Sequence, residues 1–245
     1  FVPGPEMDLE QEFAWVSAAI DAAHAMGLRV AAHATELEVA RRMAQAGVDI
    51  LVHSVEDQPV DEDFIALLTQ KGIVYVTTLA VSKGYRKVLT QRLRLSDIDR
   101  RLGDPAVIAS LDDFSERLPR YRPPPLLPDT GIALQNLARL HAAGVLIAAG
   151  SDAGNIGTLH GPALHRELEL MAQAGLSPRD ILVAATRNGA ITLGREPDLG
   201  TLQPGKLADM VILNADPLED IRHTRRIAAV VKGGVLYRPE RVLQD

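Results

Sequence analysis

The stretch Leu28–His53, LRVAAHATELEVARRMAQAGVDILVH, decides the fold. Its two ends, Leu28–Ala34 (LRVAAHA) and Asp49–His53 (DILVH), are short apolar runs of the kind that make strands buried on both faces. Between them Glu36–Ala46 reads as a helix with acids in its first turn, and Gly47 follows as a C-cap glycine. Strand, helix and strand in one short stretch make a βαβ unit, hence two parallel neighbours in a sheet.

The same rhythm continues outward. An amphipathic helix is expected over 8–26, with Phe13, Val16, Ile20 and Ala23 on one face and Gly27 at its end. Val60–Lys71 is a helix stopped by Gly72, and the β-branched run Ile73–Thr78 is a third strand. A helix from Asp129 or Thr130 through Ala143 leads to a fourth strand, Val145–Ala149, and two more helices follow near 162–174 and 178–193. Four such units are half of what a closed eight-stranded barrel needs. From Leu199 the texture changes to a turn at Gln203–Lys206, a strand at Ala208–Leu213, and a hairpin of 227–231 with 235–237 across Gly233-Gly234. So few strands cannot enclose a core alone.

Composition excludes several classes of function. The 245 residues carry 26 Lys and Arg against 32 Asp and Glu, and only nine are aromatic. An acidic, aromatic-poor chain offers neither the clustered cations nor the stacking surface of a nucleic-acid binder. No apolar run reaches the roughly 18 to 20 residues of a membrane span, so no membrane partner is expected. Cysteine is absent, which rules out disulfides, thiolate metal sites and a cysteine nucleophile. Charge is uneven: residues 83–122 carry 10 basic and 6 acidic side chains in an otherwise acidic chain. This segment reads either as a solvated helical insertion or as a lid offering Arg to an anionic substrate group, and the proline run 122–128 after it is a stiff connector.

Three candidate residues share one architectural position. His33 ends the first strand, His53 ends the second, and Asp152 follows the fourth in Ala149-Gly-Ser-Asp152-Ala-Gly154. In α/β barrels that end of a strand faces the active-site mouth. Two imidazoles and a carboxylate suit zinc or a similar divalent ion, which activates a bound water. A nearby carboxylate can take that water's proton and pass it to a leaving nitrogen. His160, on the glycine-rich loop after Asp152, is a candidate substrate contact. No G-x-G-x-x-G, Walker or G-x-S-x-G pattern occurs.

These motifs together resemble the metal-dependent amidohydrolase superfamily, in its imidazolonepropionase-related and prolidase-like branch. Residues 22–34 are similar to its fifth barrel strand and the helix before it, 46–53 to its sixth, and 143–154 to its eighth. The stretch 184–190 resembles its post-barrel helix, and 199–213 the segment where the chain re-enters a small β-sandwich. The resemblance implies hydrolysis of a C–N bond in a cyclic amide or dipeptide-like small-molecule substrate. It implies that His33 and His53 bind metal, and that Asp152 is both ligand and general base. It also implies one or two divalent ions, zinc above all. Glu36, three residues after His33, fits the deaminase branch and equally fits a first-turn helix acid. Absent here are the superfamily's first-strand His-x-His pair and its fourth-strand lysine.

The expected fold class is therefore α/β: the C-terminal half of a (β/α)8 barrel over 1–198, with 83–128 inserted, and C-terminal strands of a small β-sandwich over 199–245. The partners expected are a small-molecule substrate, the N-terminal half of the barrel, and a second copy of the chain. The half-barrel is expected to be inactive alone. The alternatives are a deaminase of the same superfamily and a non-catalytic remnant. Localisation is left open, with the cytoplasm favoured.

Overall fold

The structure, a computed structural model, describes residues 9–117 and 130–239. The connector at 122–128 and the end of the basic segment at 118–122 lie outside the described residues. In chain order the elements are α1 (Leu9–Ala25), β1 (Ala31–His33), α2 (Leu37–Ala46), β2 (Ile50–Val52), α3 (Glu62–Lys71) and β3 (Val74–Thr77). Next come α4 (Leu79–Leu89), α5 (Asp97–Leu102), α6 (Pro105–Arg117), α7 (Thr130–Ala142) and β4 (Ile147–Ala149). The remainder is α8 (Pro162–Gln173), α9 (Pro178–Ala185), α10 (Arg187–Thr192), β5 (Met210–Leu213), a 3-10 helix (Ile221–Arg225), β6 (Ile227–Lys232) and β7 (Val235–Tyr237). Strands β1-β2-β3-β4 form one sheet in sequence order, and β5-β6-β7 form a second. The β1–β2 and β2–β3 pairs are parallel, and both pairs of the second sheet are antiparallel. This is the expected α/β class. The described residues divide into two compact units, 9–79 with 130–148 and 80–117 with 149–239.

Each strand of the first sheet is only three or four residues long, and β1, at its edge, buries Ala32 alone. Ile50, Val74 and Ala148 pack as one cluster, with Val52, Val76 and Leu146 against it. The alternate residues Leu51, Tyr75 and Ile147 are buried as well. Leu28 and Arg29, expected within the first strand, are exposed. Helix α3 starts where the Asp61 side chain accepts from the Phe64 N–H, and it stops at Gly72, whose φ of 65° suits glycine.

The segment between β2 and α3 has no regular structure of its own, so its backbone groups find partners elsewhere. The Tyr75 hydroxyl accepts from Val55 N–H at 2.6 Å. Asn136, on α7 and fully buried, accepts from Val60 N–H at 2.9 Å and donates to the carbonyls of Val55 and Gln58 at 3.1 and 2.9 Å. One side chain thus closes three backbone groups.

Helix α4 begins at Leu79, four residues ahead of the basic segment. Ala80, Val81 and Val88 are buried, so its start belongs to the core. The buried Glu167 carboxylate of α8 accepts from Ala80 N–H at 2.7 Å. Helix α4 also touches the loop after β4. A Cβ on Gly84 would sit 3.0 Å from Ile156 O, and one on Gly157 would sit 3.0 Å from Gly84 O. The single helix expected over 178–193 divides into α9 and α10 at Thr186, where φ is −120° and ψ −81°. His165 bonds Thr224 Oγ1 at 3.0 Å and so ties α8 to the 3-10 helix. Burial and the Arg225 charge together hold its pKa below the usual histidine value. The outer strand β7 is exposed throughout, Val235, Leu236 and Tyr237 included. No described helix is long and apolar enough to cross a membrane.

Two outcomes follow. Asn136→Ala strands the buried backbone groups of Val55 and Val60 and should cost about 2–4 kcal/mol by urea denaturation; a loss under about 1 kcal/mol would show that the loop re-pairs without it. The hydrogen bond from Arg41, and then that from Phe64 N–H, hold the Asp61 carboxyl below its ordinary value. Its contribution is therefore complete above the unfolded pKa of about 3.9 and fades as pH falls through the lower folded value. Asp61→Asn keeps a capping acceptor but no titrating charge, so its stability should fall less steeply than the wild type's below about pH 4.

Candidate active site

Parallel register sets the site's first half. Residue His33 pairs with Val52, and Val52 pairs with Val76. The residues that leave the ladder after β1, β2 and β3 therefore emerge at one C-terminal edge of the sheet. There the rings of His33 and His53 lie edge to face, with centroids 4.2 Å apart and planes at 68°. His53 Nδ1 is 2.7 Å from Oγ1 of the buried Thr78, just past the end of β3. The sheet holds the His53 backbone too, through its N–H to Val76 O at 3.1 Å.

His53 has a φ of 80°, in the left-handed region that non-glycine residues seldom enter. Asp152, at φ 48°, shares this property, and the third described non-glycine residue with positive φ is Gln91. Left-handed non-glycine residues persist where surrounding contacts enforce them, and they gather at functional sites. Two of the three here are residues singled out from sequence.

In the second unit, Asp152 is exposed on the loop after β4. Its Oδ2 accepts from Asn155 Nδ2 at 2.8 Å, and Asn155 Oδ1 accepts from the Tyr85 hydroxyl of α4 at 2.9 Å. This chain of hydrogen bonds orients the carboxylate. Gly154, two residues beyond Asp152, leaves room for the His160 ring, whose Nε2 would lie 3.2 Å from a Cβ there. Asp152 and His160 therefore flank the same turn. Glu36 is exposed at the N-cap of α2 and makes no capping bond with its side chain.

The structure brings together His33 with His53 in one unit, and Asp152 with the turn under His160 in the other. Among the described residues no group of three or more His, Cys, Asp or Glu side chains is gathered as a metal cluster. Of the expected donor set, the structure gathers the two imidazoles, whose chemistry suits a divalent ion of the zinc type. Sequence reasoning missed Thr78, Asn155 and Tyr85. Thr78 carried a usable signal, since it ends the third strand as His33 and His53 end theirs.

The parallel βα units thus carry an imidazole pair where the first two strands end. The model of the amidohydrolase family matches residues 3–236, and the chain belongs to that family. Within it the likeness runs to imidazolonepropionase and prolidase-like proteins. The chain is 38% identical over 123 residues to an imidazolonepropionase of Symbiobacterium thermophilum, covering 46% of this chain and 29% of that one. It is 32% identical over 126 residues to the ochratoxinase of Aspergillus niger, covering 46% and 25%. A putative prolidase from Bifidobacterium longum matches in structure with a TM-score of 0.68 and 28% identity, over 92% of this chain and 50% of that one. A Xaa-Pro dipeptidase crystallised with methionine in its active site matches with a TM-score of 0.68 and 25% identity, over 91% and 48%. The chain thus spans about half the length of the solved structures it matches, and the aligned part is a smaller share of the curated relatives. Family members generally hold divalent metal ions.

Asp152→Gly tests whether the left-handed turn serves the carboxylate or the fold. Glycine adopts φ 48° without strain but loosens the unfolded chain, so stability by thermal unfolding should stay within about 0.5 kcal/mol of the wild type. A loss above about 2 kcal/mol would make the Asp152–Asn155 bond structural.

Proposed function

We propose that this chain belongs to a metal-dependent hydrolase that cleaves a C–N bond in a cyclic amide or a dipeptide-like small molecule. The observation that carries the proposal is the His33–His53 ring pair at the strand ends, with His53 held in a left-handed conformation. The names of the relatives, imidazolonepropionase and Xaa-Pro dipeptidase, support a ring amide and a peptide bond respectively.

His33 and His53 would hold a divalent ion, zinc in this reading. Such an ion, when bound, lowers the pKa of a coordinated water to about 7 and polarises the substrate carbonyl. With Nδ1 of His53 committed to Thr78, ligation falls to Nε2, and a second partner on the ring fixes its tautomer and orientation. Asp152 would be both a ligand and the general base. It takes a proton from the attacking water and delivers it to the departing nitrogen, so that the nitrogen leaves as a neutral amine. Asn155 and Tyr85 hold that carboxylate in place, and His160 would contact substrate from the same turn.

The test is made in the protein as it occurs naturally, with metal content read by elemental analysis beside the hydrolysis rate. His53→Ala should abolish activity and release metal. Thr78→Val should weaken metal affinity by about 10- to 100-fold, as loss of an outer partner does. Asp152→Asn should lower kcat by about 10²–10⁴. Unchanged activity of His53→Ala at saturating zinc would make His53 structural and overturn the assignment.

A further inference from the structure

The second unit carries a half-open pocket of about 460 Å³ bordered by α4, α5, α8, the Gly157–Leu159 stretch and Arg225 of the 3-10 helix. That is the size of a small-molecule pocket. Neither Asp152 nor His160 lines it. Five basic side chains do: Lys83, Lys87, Arg94, Arg166 and Arg225. Of the three carboxylates that face them, two are committed to partners. Asp99 accepts from both the N–H and the hydroxyl of Ser96 at 2.7 Å. Glu169 sits between two guanidiniums, accepting from Arg166 at 3.0 Å and from Arg225 at 2.7 Å. The third carboxylate is Asp97.

One carboxylate between two arginines leaves positive charge uncompensated and donors to spare. Arg166 Nε and Arg225 Nη1 are buried, and neither has a hydrogen-bond partner among the described residues. Buried donors are seldom left so, since desolvation without a partner is costly. The lysines feel the same excess. Burial first, then the charge of Arg166, pull Lys83 and Lys87 below the ordinary lysine value. A pocket that destabilises its own cations supplies what an anion would relieve.

We propose that this cavity is a second ligand site, which takes the oxyanion end of a small molecule, a phosphoryl or carboxylate group, on Lys87, Arg166 and Arg225. Guanidinium forks suit the paired oxygens of either group, and the volume leaves room for an organic body behind the oxyanion. The site is independent of the hydrolytic reading above.

Calorimetric titration of the intact protein with inorganic phosphate and separately with succinate, at ionic strength held constant with sodium chloride, tests the site. Saturable binding of at least one of them with a Kd of about 5 mM or tighter is expected. Phosphate alone would assign a phosphoryl ligand, succinate alone a carboxylate, and both an oxyanion of either kind. Lys87→Gln should weaken binding at least about tenfold while the unfolding midpoint without ligand stays put. Arg225→Lys, which keeps the charge but loses the fork, should weaken it less. The proposal fails if neither anion saturates by about 50 mM in natively folded protein, or if Lys87→Gln binds as the wild type does. It fails equally if His53→Ala or Asp152→Asn abolishes the binding, because the anion would then occupy the other site.

Discussion

The amide of Asn136 is the interaction on which the order of the first unit rests. A loop that leaves a parallel strand and crosses to a helix must carry its backbone polar groups through the interior or send them to water. Here Val55 and Val60 take the interior route, and one buried side chain on α7 meets both, and the carbonyl of the exposed Gln58 as well. The Tyr75 hydroxyl secures Val55 as well, and burial pushes that phenol's pKa up despite the Val55 hydrogen bond. The chain is therefore pinned directly after His53. That is where surrounding contacts must hold a backbone that would otherwise relax out of the left-handed region.

Much of this was legible in the sequence, and the reasons are specific. Ile50, Leu51 and Val74 lie in uninterrupted apolar runs because both faces of the sheet are covered. Gly47 and Gly72 mark helix ends through a backbone preference that needs no tertiary context. The edges of the strands were not legible: Leu28 and Arg29 continue the pattern of β1 yet are exposed. Burial is a property of neighbours and not of the run itself. The break at Thr186 was invisible for the same reason, since both halves of 178–193 keep helical spacing. Among the site residues, His33 and His53 stood out because a polar side chain at the end of an apolar strand has a position as well as a type. Tyr85 and Asn155 did not, because their roles depend on contacts 70 residues apart in sequence.

The basic segment shows how charge alone misleads about burial. Its composition suits a solvated helix, and helices are what α5 and α6 are. Yet α4 is anchored by a buried carboxylate at its start and by a close glycine contact with the loop carrying Asp152. Backbone approaches within van der Waals distance leave no trace in composition beyond the glycine itself. Gly84 and Gly157 were two glycines among 19.

The short ladder has a consequence for how such a protein can diverge. Pairing and core packing in the first sheet occupy three or four residues per strand, and His33, His53 and Thr78 lie at or past the last of them. Ladder and rim are thus written in adjacent codons, with His33 belonging to both. A lineage can exchange what stands at the rim while the strands beneath retain their pairing. The His53 position is the exception: its left-handed backbone admits few side chains without strain, so it should be the slowest of the three to drift.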